Sequence, residues 1–176
     1  FHMKDFFVEW KKYGFFKIKA GQFKRAFGFE NPMNPWDIST GDYSLMTKYL
    51  TGHSDYLGAD VKGSANGGRD LGIQIQGDFL PVGKDHHMLF HYQVMVSNGT
   101  GINTSDTDGK KDITATFQVQ PIKGLFIGAF GWKGTFDAKD SAGKTVNHSR
   151  NRYAFGAKYD NAGYVFRSEY AHGQSD

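Results

Sequence analysis

Two lysines on the second predicted strand carry the clearest chemistry in this sequence. Lys17 and Lys19 are two positions apart. On a β-strand, which rises roughly 3.4 Å per residue, they share a face about 7 Å apart. Two ammonium groups at that spacing can pass an anion along, each binding it weakly enough to release it. The alternative is that they are solvated lysines or members of ion pairs, with Glu9 across the hairpin.

Other residue combinations do not predict a catalytic or metal site. His86, His87 and His91 have no carboxylate spaced to complete a metal site. Residues 106–109 resemble part of a calcium-binding loop, but Ala115 stands where the bidentate Glu belongs. A weakly bound divalent cation is the alternative there. The sequence contains no Gly-x-Ser-x-Gly segment and no evident Ser, His and Asp arrangement. We therefore expect neither an enzyme nor a cofactor nor a metal centre.

The composition favours a β-rich chain. Among 176 residues, 21 Lys and Arg against 18 Asp and Glu leave a net charge of +3, which is too weak for the basic surface of a typical nucleic-acid-binding protein. The 23 Gly and the 16 Phe, 9 Tyr and 3 Trp suit turns and strands better than a helical bundle. No segment approaches the roughly 18 apolar residues of a membrane-spanning helix. A membrane β-barrel is compatible with the sequence, because each of its strands needs only about 10 alternating residues.

Alternation of apolar and polar residues predicts eight strands. They are expected at 5–11, 15–23, 70–79, 88–97, 112–120, 125–137, 151–159 and 164–172. Short connections follow the odd-numbered strands, and the long connections between these are 24–69, 98–111 and 138–150. Tight turns at one end and long loops at the other are typical of outer-membrane barrels. A soluble lipocalin-like barrel has the same alternation and is an alternative.

The two faces of the predicted strands differ in chemistry. One face carries long polar side chains suited to a water-filled lumen, among them Lys17, Lys19, Gln74, Gln76, Arg152, Lys158 and Arg167. The other face is apolar, and rings lie near strand ends, where interfacial girdles belong. We therefore expect the apolar face to meet lipid. In the irregular sixth strand, Phe126, Phe130, Trp132 and Phe136 are assigned to the apolar face and Lys133 to the lumen.

Two alternatives make different structural predictions. A soluble lipocalin-like carrier would turn Phe90, Val94, Ile113 and Phe117 inside and its lysines outside. A small closed eight-stranded barrel, with its first and last strands paired, would conduct nothing and would act as a structural or binding module. Both ends of the sequence look cut. We therefore expect residues 1–176 to form one barrel segment, about eight strands of a larger antiparallel transmembrane β-barrel.

The segment 24–69 differs from the other connections in its length. Residues 31–36 are turn-like, 39–50 can hold a short helix that begins near Thr40 or Asp42, and 54–68 are polar and rich in glycine. A loop this long is uncommon in a compact domain and usually has a function. In a porin it can fold into the lumen and set the width of the pore.

Four short segments, in their order and spacing, carry a resemblance to a known family. They are Lys19-Ala-Gly-Gln-Phe-Lys24 with its continuation Arg25-Ala-Phe-Gly-Phe-Glu30, Gly68-Arg-Asp-Leu-Gly72, Val96-Ser-Asn-Gly-Thr-Gly-Ile-Asn103 and Pro121-Ile-Lys-Gly-Leu125. Together they resemble the phosphate-selective porin O and P family, especially its Bacteroidetes-type members. The resemblance covers most of this chain but only part of a family member, whose barrel has sixteen strands.

The resemblance implies a homotrimeric porin of the bacterial outer membrane, embedded in lipid, that passes small anionic or neutral solutes. By position, the basic lining of such a pore maps onto Lys17, Lys19, Lys24, Arg25 and Arg69. The strand pattern adds three lumen-facing residues, Arg152, Lys158 and Arg167. Because acidic residues share this face, we expect a modest preference for anions, phosphate included, and not strict phosphate selectivity. No nucleic-acid partner is expected.

Overall fold

Eight antiparallel strands form a single sheet, in the order in which they occur in the chain. The computed structural model describes residues 3–38, 41–52, 67–106, 108–139 and 142–175. The strands are β1 (Phe6–Trp10), β2 (Lys17–Lys24), β3 (Arg69–Val82), β4 (His87–Ser97), β5 (Asp112–Ile122), β6 (Leu125–Lys139), β7 (Thr145–Asn161) and β8 (Tyr164–Gln174). The all-β, antiparallel part of the prediction is confirmed.

The sheet is open. Within the ranges that the structure describes, β1 pairs with β2 alone and β8 with β7 alone. The small closed eight-stranded barrel is therefore wrong, since closure requires β1 to pair with β8. In a closed barrel of this size, side chains from opposite strands fill the interior. In this structure a long segment of the chain packs against one face of the sheet instead.

Tight turns join the strands at one end of the sheet. Between β7 and β8 the two-residue turn Ala162-Gly163 has φ values of 53° and 81°. Two successive positive φ values define the type I′ turn, whose twist matches that of a hairpin. At the other end the prediction of a long loop at 138–150 is wrong. β6 and β7 keep pairing as far as Lys139 and Thr145, so that only 140–144 connect them.

One face of the sheet is covered by the chain itself and the other is exposed. We call the face that packs against residues 25–38 the inner face and the opposite one the outer face. Buried inner-face side chains include Met95, Thr114, Thr116 and Ala154. Exposed apolar side chains of the outer face include Phe6, Val8, Leu71, Ile73, Val94, Val96, Ile113, Phe117, Ile127, Phe155 and Phe166.

This division of faces contradicts the lipocalin-like alternative. That alternative places Val94, Ile113 and Phe117 in a packed interior, but their side chains are 41%, 51% and 46% exposed. Phe90 is only half-buried. The sheet instead turns the face that carries most of its polar side chains toward the covering segment, and it exposes Val94, Ile113 and Phe117 on the outer face.

The assignment of β6 to its faces was wrong. Phe130, Trp132 and Phe136 are buried on the inner face, and Phe126 packs beside them. Lys133 is exposed on the outer face, where it lies opposite Ile113 of β5. The physical reason is that the covering segment brings its own phenylalanines to β6, so the inner face of this strand needs apolar partners. Alternation within a strand cannot reveal such a partner.

The described part of the segment between β2 and β3 contains two short helices. A 3-10 helix spans Pro35–Asp37, and helix α1 spans Leu45–Leu50. The Ser44 hydroxyl caps α1 by accepting a hydrogen bond of 3.2 Å from the amide of Thr47. Thus α1 begins later than expected. Thr40 and most of the glycine-rich stretch 54–68 lie outside the described residues.

Candidate pore-lining site

Arg25 anchors the base of the covering segment. The residue is 1% exposed, and its Nη2 lies 2.9 Å from Oδ2 of the fully buried Asp70 at the start of β3. Asp70 also accepts hydrogen bonds from the amides of Gly99 (2.8 Å) and Gly101 (3.2 Å) in the next loop. One carboxylate therefore ties two loops together. Arg25, expected in the pore lining, is instead an internal anchor, because its guanidinium is needed to neutralise this buried carboxylate.

Three guanidinium groups surround the indole of Trp132 and form what we call the arginine–tryptophan cluster. The Cζ atoms of Arg25, Arg150 and Arg152 lie 4.4, 4.8 and 4.6 Å from the ring centroid. The indole Nε1 donates to Asp112 over 2.8 Å, and Arg150 Nη1 lies 3.4 Å from the same carboxylate oxygen. Buried cation–π contacts of this kind stabilise the positive charges. Arg152, another predicted lining residue, thus lies against Trp132.

Two phenylalanines of the covering segment pack onto the middle of the sheet. Phe27 makes an edge-to-face contact with Trp132, with ring centroids 6.1 Å apart, and Phe29 makes one with Phe130 at 5.1 Å. Phe29 reaches the backbone because Gly128 and Gly156 face each other on β6 and β7. A Cβ atom at Gly128 would lie 2.9 Å from Phe29 Cζ. The two glycines therefore make the seat in which Phe29 lies.

Glu30 fixes helix α1 beside β8. Its Oε2 accepts hydrogen bonds from the Ser44 amide (3.1 Å), the Ser44 hydroxyl (2.5 Å) and the Thr47 hydroxyl (2.5 Å). Burial alone would raise the pKa of Glu30. The hydrogen bonds from Ser44 and Thr47, together with the charge of Arg167, outweigh that effect and hold the pKa below its ordinary value. The ionised carboxylate is therefore the form that fastens the helix.

Two predicted lining residues, Arg167 and Lys158, lie near this attachment. Arg167 Nη1 is 3.9 Å from Oε1 of Glu30. Lys158 Nζ lies 5.0 Å from the ring centroid of Phe126 and 5.8 Å from that of Phe29. Glu169, also on the inner face of β8, accepts a hydrogen bond from the amide of Phe29. Basic and acidic groups alternate here, so this part of the inner face has little net charge.

A second group of predicted residues lines one cleft over β1, β2, β3 and β4, which we call the basic cleft. It has a volume of about 410 Å³, and its basic members are Lys19, Lys24 and Arg69. Arg69 is neutralised by Asp5, whose two oxygens lie 2.9 Å from its Nε and Nη2. Lys24 donates to the Tyr43 hydroxyl over 2.9 Å and to the carbonyl of Met33. The cleft therefore keeps a positive charge after these pairings.

Lys17 does not share the environment of Lys19. Its Nζ lies 2.6 Å from Oδ2 of Asp78, whose other oxygen lies 2.8 Å from His91 Nδ1. The ion-pair interpretation thus holds for Lys17, but with Asp78 in place of Glu9. The Glu9 carboxylate accepts from Gln76 over 2.7 Å. Glu9 could be identified from the sequence as a neighbour of Lys17 across the hairpin. Asp78 becomes a neighbour only because β2 pairs with β3.

Sequence reasoning missed the residues that hold the covering segment. Asp70, Asp112, Trp132 and Arg150 are buried partners of the anchor, yet each stands in an ordinary strand pattern without a distinguishing spacing. Of the predicted lining residues, the structure brings Lys19, Lys24 and Arg69 together. It places Lys158 and Arg167 near β8, sets Lys17 apart, and packs Arg25 and Arg152 against Trp132.

Comparison of the chain with known protein families, curated proteins and solved structures gave no match. Across the residues described, no group of three or more His, Cys, Asp and Glu side chains is arranged to hold a metal ion. No helix in these ranges is long and apolar enough to cross a membrane.

Proposed function

We propose that this chain is a segment of a bacterial outer-membrane porin through which small anionic and neutral solutes diffuse. The observation that carries the proposal is the contrast between the two faces of the sheet. The outer face is apolar and exposed. The inner face carries most of the polar strand side chains, apart from the aromatic residues of β6, and is covered by the chain's own segment. A sheet that turns apolar side chains outward needs an apolar surrounding, which lipid provides. A covering segment on the inner face is suited to narrow a lumen.

In this proposal the strands belong to a transmembrane barrel of about sixteen strands that assembles as a homotrimer, as the family resemblance implies. Residues 24–69 constrict the pore. The basic cleft then lies at the constriction, where low-dielectric walls strengthen the field of fixed charges. The protein catalyses no reaction in this account; it lowers the barrier to passage of a solute.

The balance of charge on the inner face supports a modest anion preference. Asp78 neutralises Lys17, Asp5 neutralises Arg69, and Glu30 lies beside Arg167. Lys19 makes no ion pair in the part of the chain that the structure describes. We therefore propose that anions, phosphate among them, are favoured over cations by a small ratio.

The test is the reversal potential of the full-length protein in a planar lipid bilayer under a salt gradient. Replacing Lys17 and Lys19 together with Gln should shift the reversal potential toward cation preference without closing the pore. Lys133→Gln is the control, because it removes a positive charge from the outer face, whereas the double variant removes two from the inner face. Equal shifts for both variants, or no conductance at all, would contradict the proposal.

A further inference from the structure

The basic cleft contains more hydrogen-bonding groups than a plain anion site needs. Beside its basic residues it is lined by the side-chain amides of Gln74, Gln76 and Gln93. Its volume of about 410 Å³ falls within the range of about 300–1,000 Å³ that small-molecule sites occupy. Charged groups line one side of the cleft and amides line another. Such a cleft suits a ligand that has a charged group at one end and hydrogen-bonding groups at the other.

The cationic side of the cleft is formed by Lys19 and Lys24. The Lys19 ammonium lies 3.8 Å from the ring centroid of Phe7 and 4.4 Å from that of Phe23. These rings hold the ammonium in place without neutralising it. Lys24 uses two N–H groups for Met33 and Tyr43, and an ammonium has three. Since Asp5 is occupied by both nitrogens of the Arg69 fork, its carboxylate is screened from an incoming anion.

The amide side of the cleft has hydrogen-bonding capacity to spare. Gln74 donates from Nε2 to Gln76 Oε1 over 2.5 Å, and Gln76 donates to Glu9 over 2.7 Å. The chain of bonds ends at Oε1 of Gln74, a buried acceptor without a donor. The amide of Gln93, half-exposed beside it, has no hydrogen bond to any of the residues that the structure describes. Amides that can donate and accept are suited to hydroxyl groups.

We propose that the basic cleft binds a hydroxylated monocarboxylate of the sugar-acid class. The carboxylate lies between the ammonium groups of Lys19 and Lys24, and its hydroxyls bond to the amide of Gln93 and, after a small rotation of its side chain, to Oε1 of Gln74. This assignment rests on the proposed porin function, since it names a solute class for which the constriction has affinity. Binding at this point raises the local concentration of that solute within the pore.

Isothermal titration calorimetry of the full-length protein in detergent micelles tests the assignment. The probes are D-galacturonate, D-galactose, which has the hydroxyls without the charge, and acetate, which has the charge without the hydroxyls. We expect galacturonate to bind at least about tenfold more tightly than either, as one hydrogen bond to a charged group implies. Lys19→Gln should weaken galacturonate binding without changing galactose binding, and Gln93→Leu should weaken galacturonate binding without changing acetate binding.

Gln118→Leu is the matched control, because Gln118 is also an inner-face glutamine, on β5, but does not line the cleft. It should leave all three affinities unchanged. Equal binding of acetate and galacturonate would overturn the proposal in favour of a plain anion site, and equal binding of galactose would show that the lysines take no part. Absence of binding by every probe also overturns it. The porin proposal fails on a different result, the absence of conductance in bilayers.

Discussion

Breaking the ion pair between Arg25 and Asp70 should release the base of the covering segment. The two residues are 1% and 0% exposed, and their nearest nitrogen and oxygen are 2.9 Å apart. Asp70→Asn keeps the shape of the side chain but leaves the guanidinium buried without this counter-charge. Removing one partner of a buried pair costs about 3–5 kcal/mol. We expect a loss of that size in the free energy of unfolding, measured by urea titration of the lipid-reconstituted protein.

A double-mutant cycle isolates the pair. Arg25→Met should cost a similar amount, and the double variant should cost less than the sum of the two, with a coupling of about 2 kcal/mol or more. The matched control is Asp42→Asn, which removes an acidic partner of Lys48 in the same segment. Asp42 is 68% exposed in its side chain, so its loss should cost less than about 1 kcal/mol. If Asp70→Asn costs no more than this control, or if the two substitutions are additive, the anchor is not the ion pair.

Two further predictions concern how the covering segment is seated. Gly128→Leu should displace Phe29, because even a Cβ atom at position 128 would lie 2.9 Å from the ring. The covering segment should then become sensitive to protease. Gly131→Ala is the control and should leave the segment protected, because a Cβ atom there meets nothing within 4 Å. The pKa of Glu30 is held below its ordinary value of 4.5, so the attachment is fully present above that pH and is lost as pH falls through the lower folded pKa. The protection of the α1 amides, relative to the exchange rate of an unstructured chain at the same pH, should therefore fall below about pH 4.5 in the native protein, whereas Glu30→Gln should show the lower protection already at neutral pH. A protected Gly128→Leu protein, or a pH response that persists in Glu30→Gln, would contradict these assignments.

The strands were predictable because each obeys a local rule. Period-two alternation located all eight, and the polar sets around Lys19 and Gln74 fell on one face as expected. The predicted strand ends were less accurate where two neighbouring strands continue to pair beyond their alternating segments. β6 and β7 extend past their predicted ends because Lys139 still finds Thr145 as a partner, and no local signal marks such mutual support.

The site was less predictable, because its chemistry depends on residues distant in the chain. Arg25 and Asp70 are 45 positions apart, and Lys17 and Asp78 are 61 apart. Spacing along one strand brings Lys17 and Lys19 onto a face, but it does not say which of them is neutralised by a neighbouring strand. The same limit applies to Trp132. An aromatic residue in an alternating strand pattern is compatible with a position that faces lipid and equally with a position in a buried cluster.

Site-directed spin labelling at two adjacent positions of β4 tests the central claim most directly. Position 94, now Val, lies on the exposed apolar outer face, and position 93, now Gln, lines the cleft on the inner face. Residues 1–176 contain no cysteine, so Val94→Cys and Gln93→Cys each place one label in this segment. In lipid vesicles the account predicts that the label at 94 collides with oxygen, which concentrates in lipid, and that the label at 93 collides with a water-soluble nickel complex. The reverse pattern, or equal access of the nickel complex to both labels, would contradict a porin whose apolar face meets lipid.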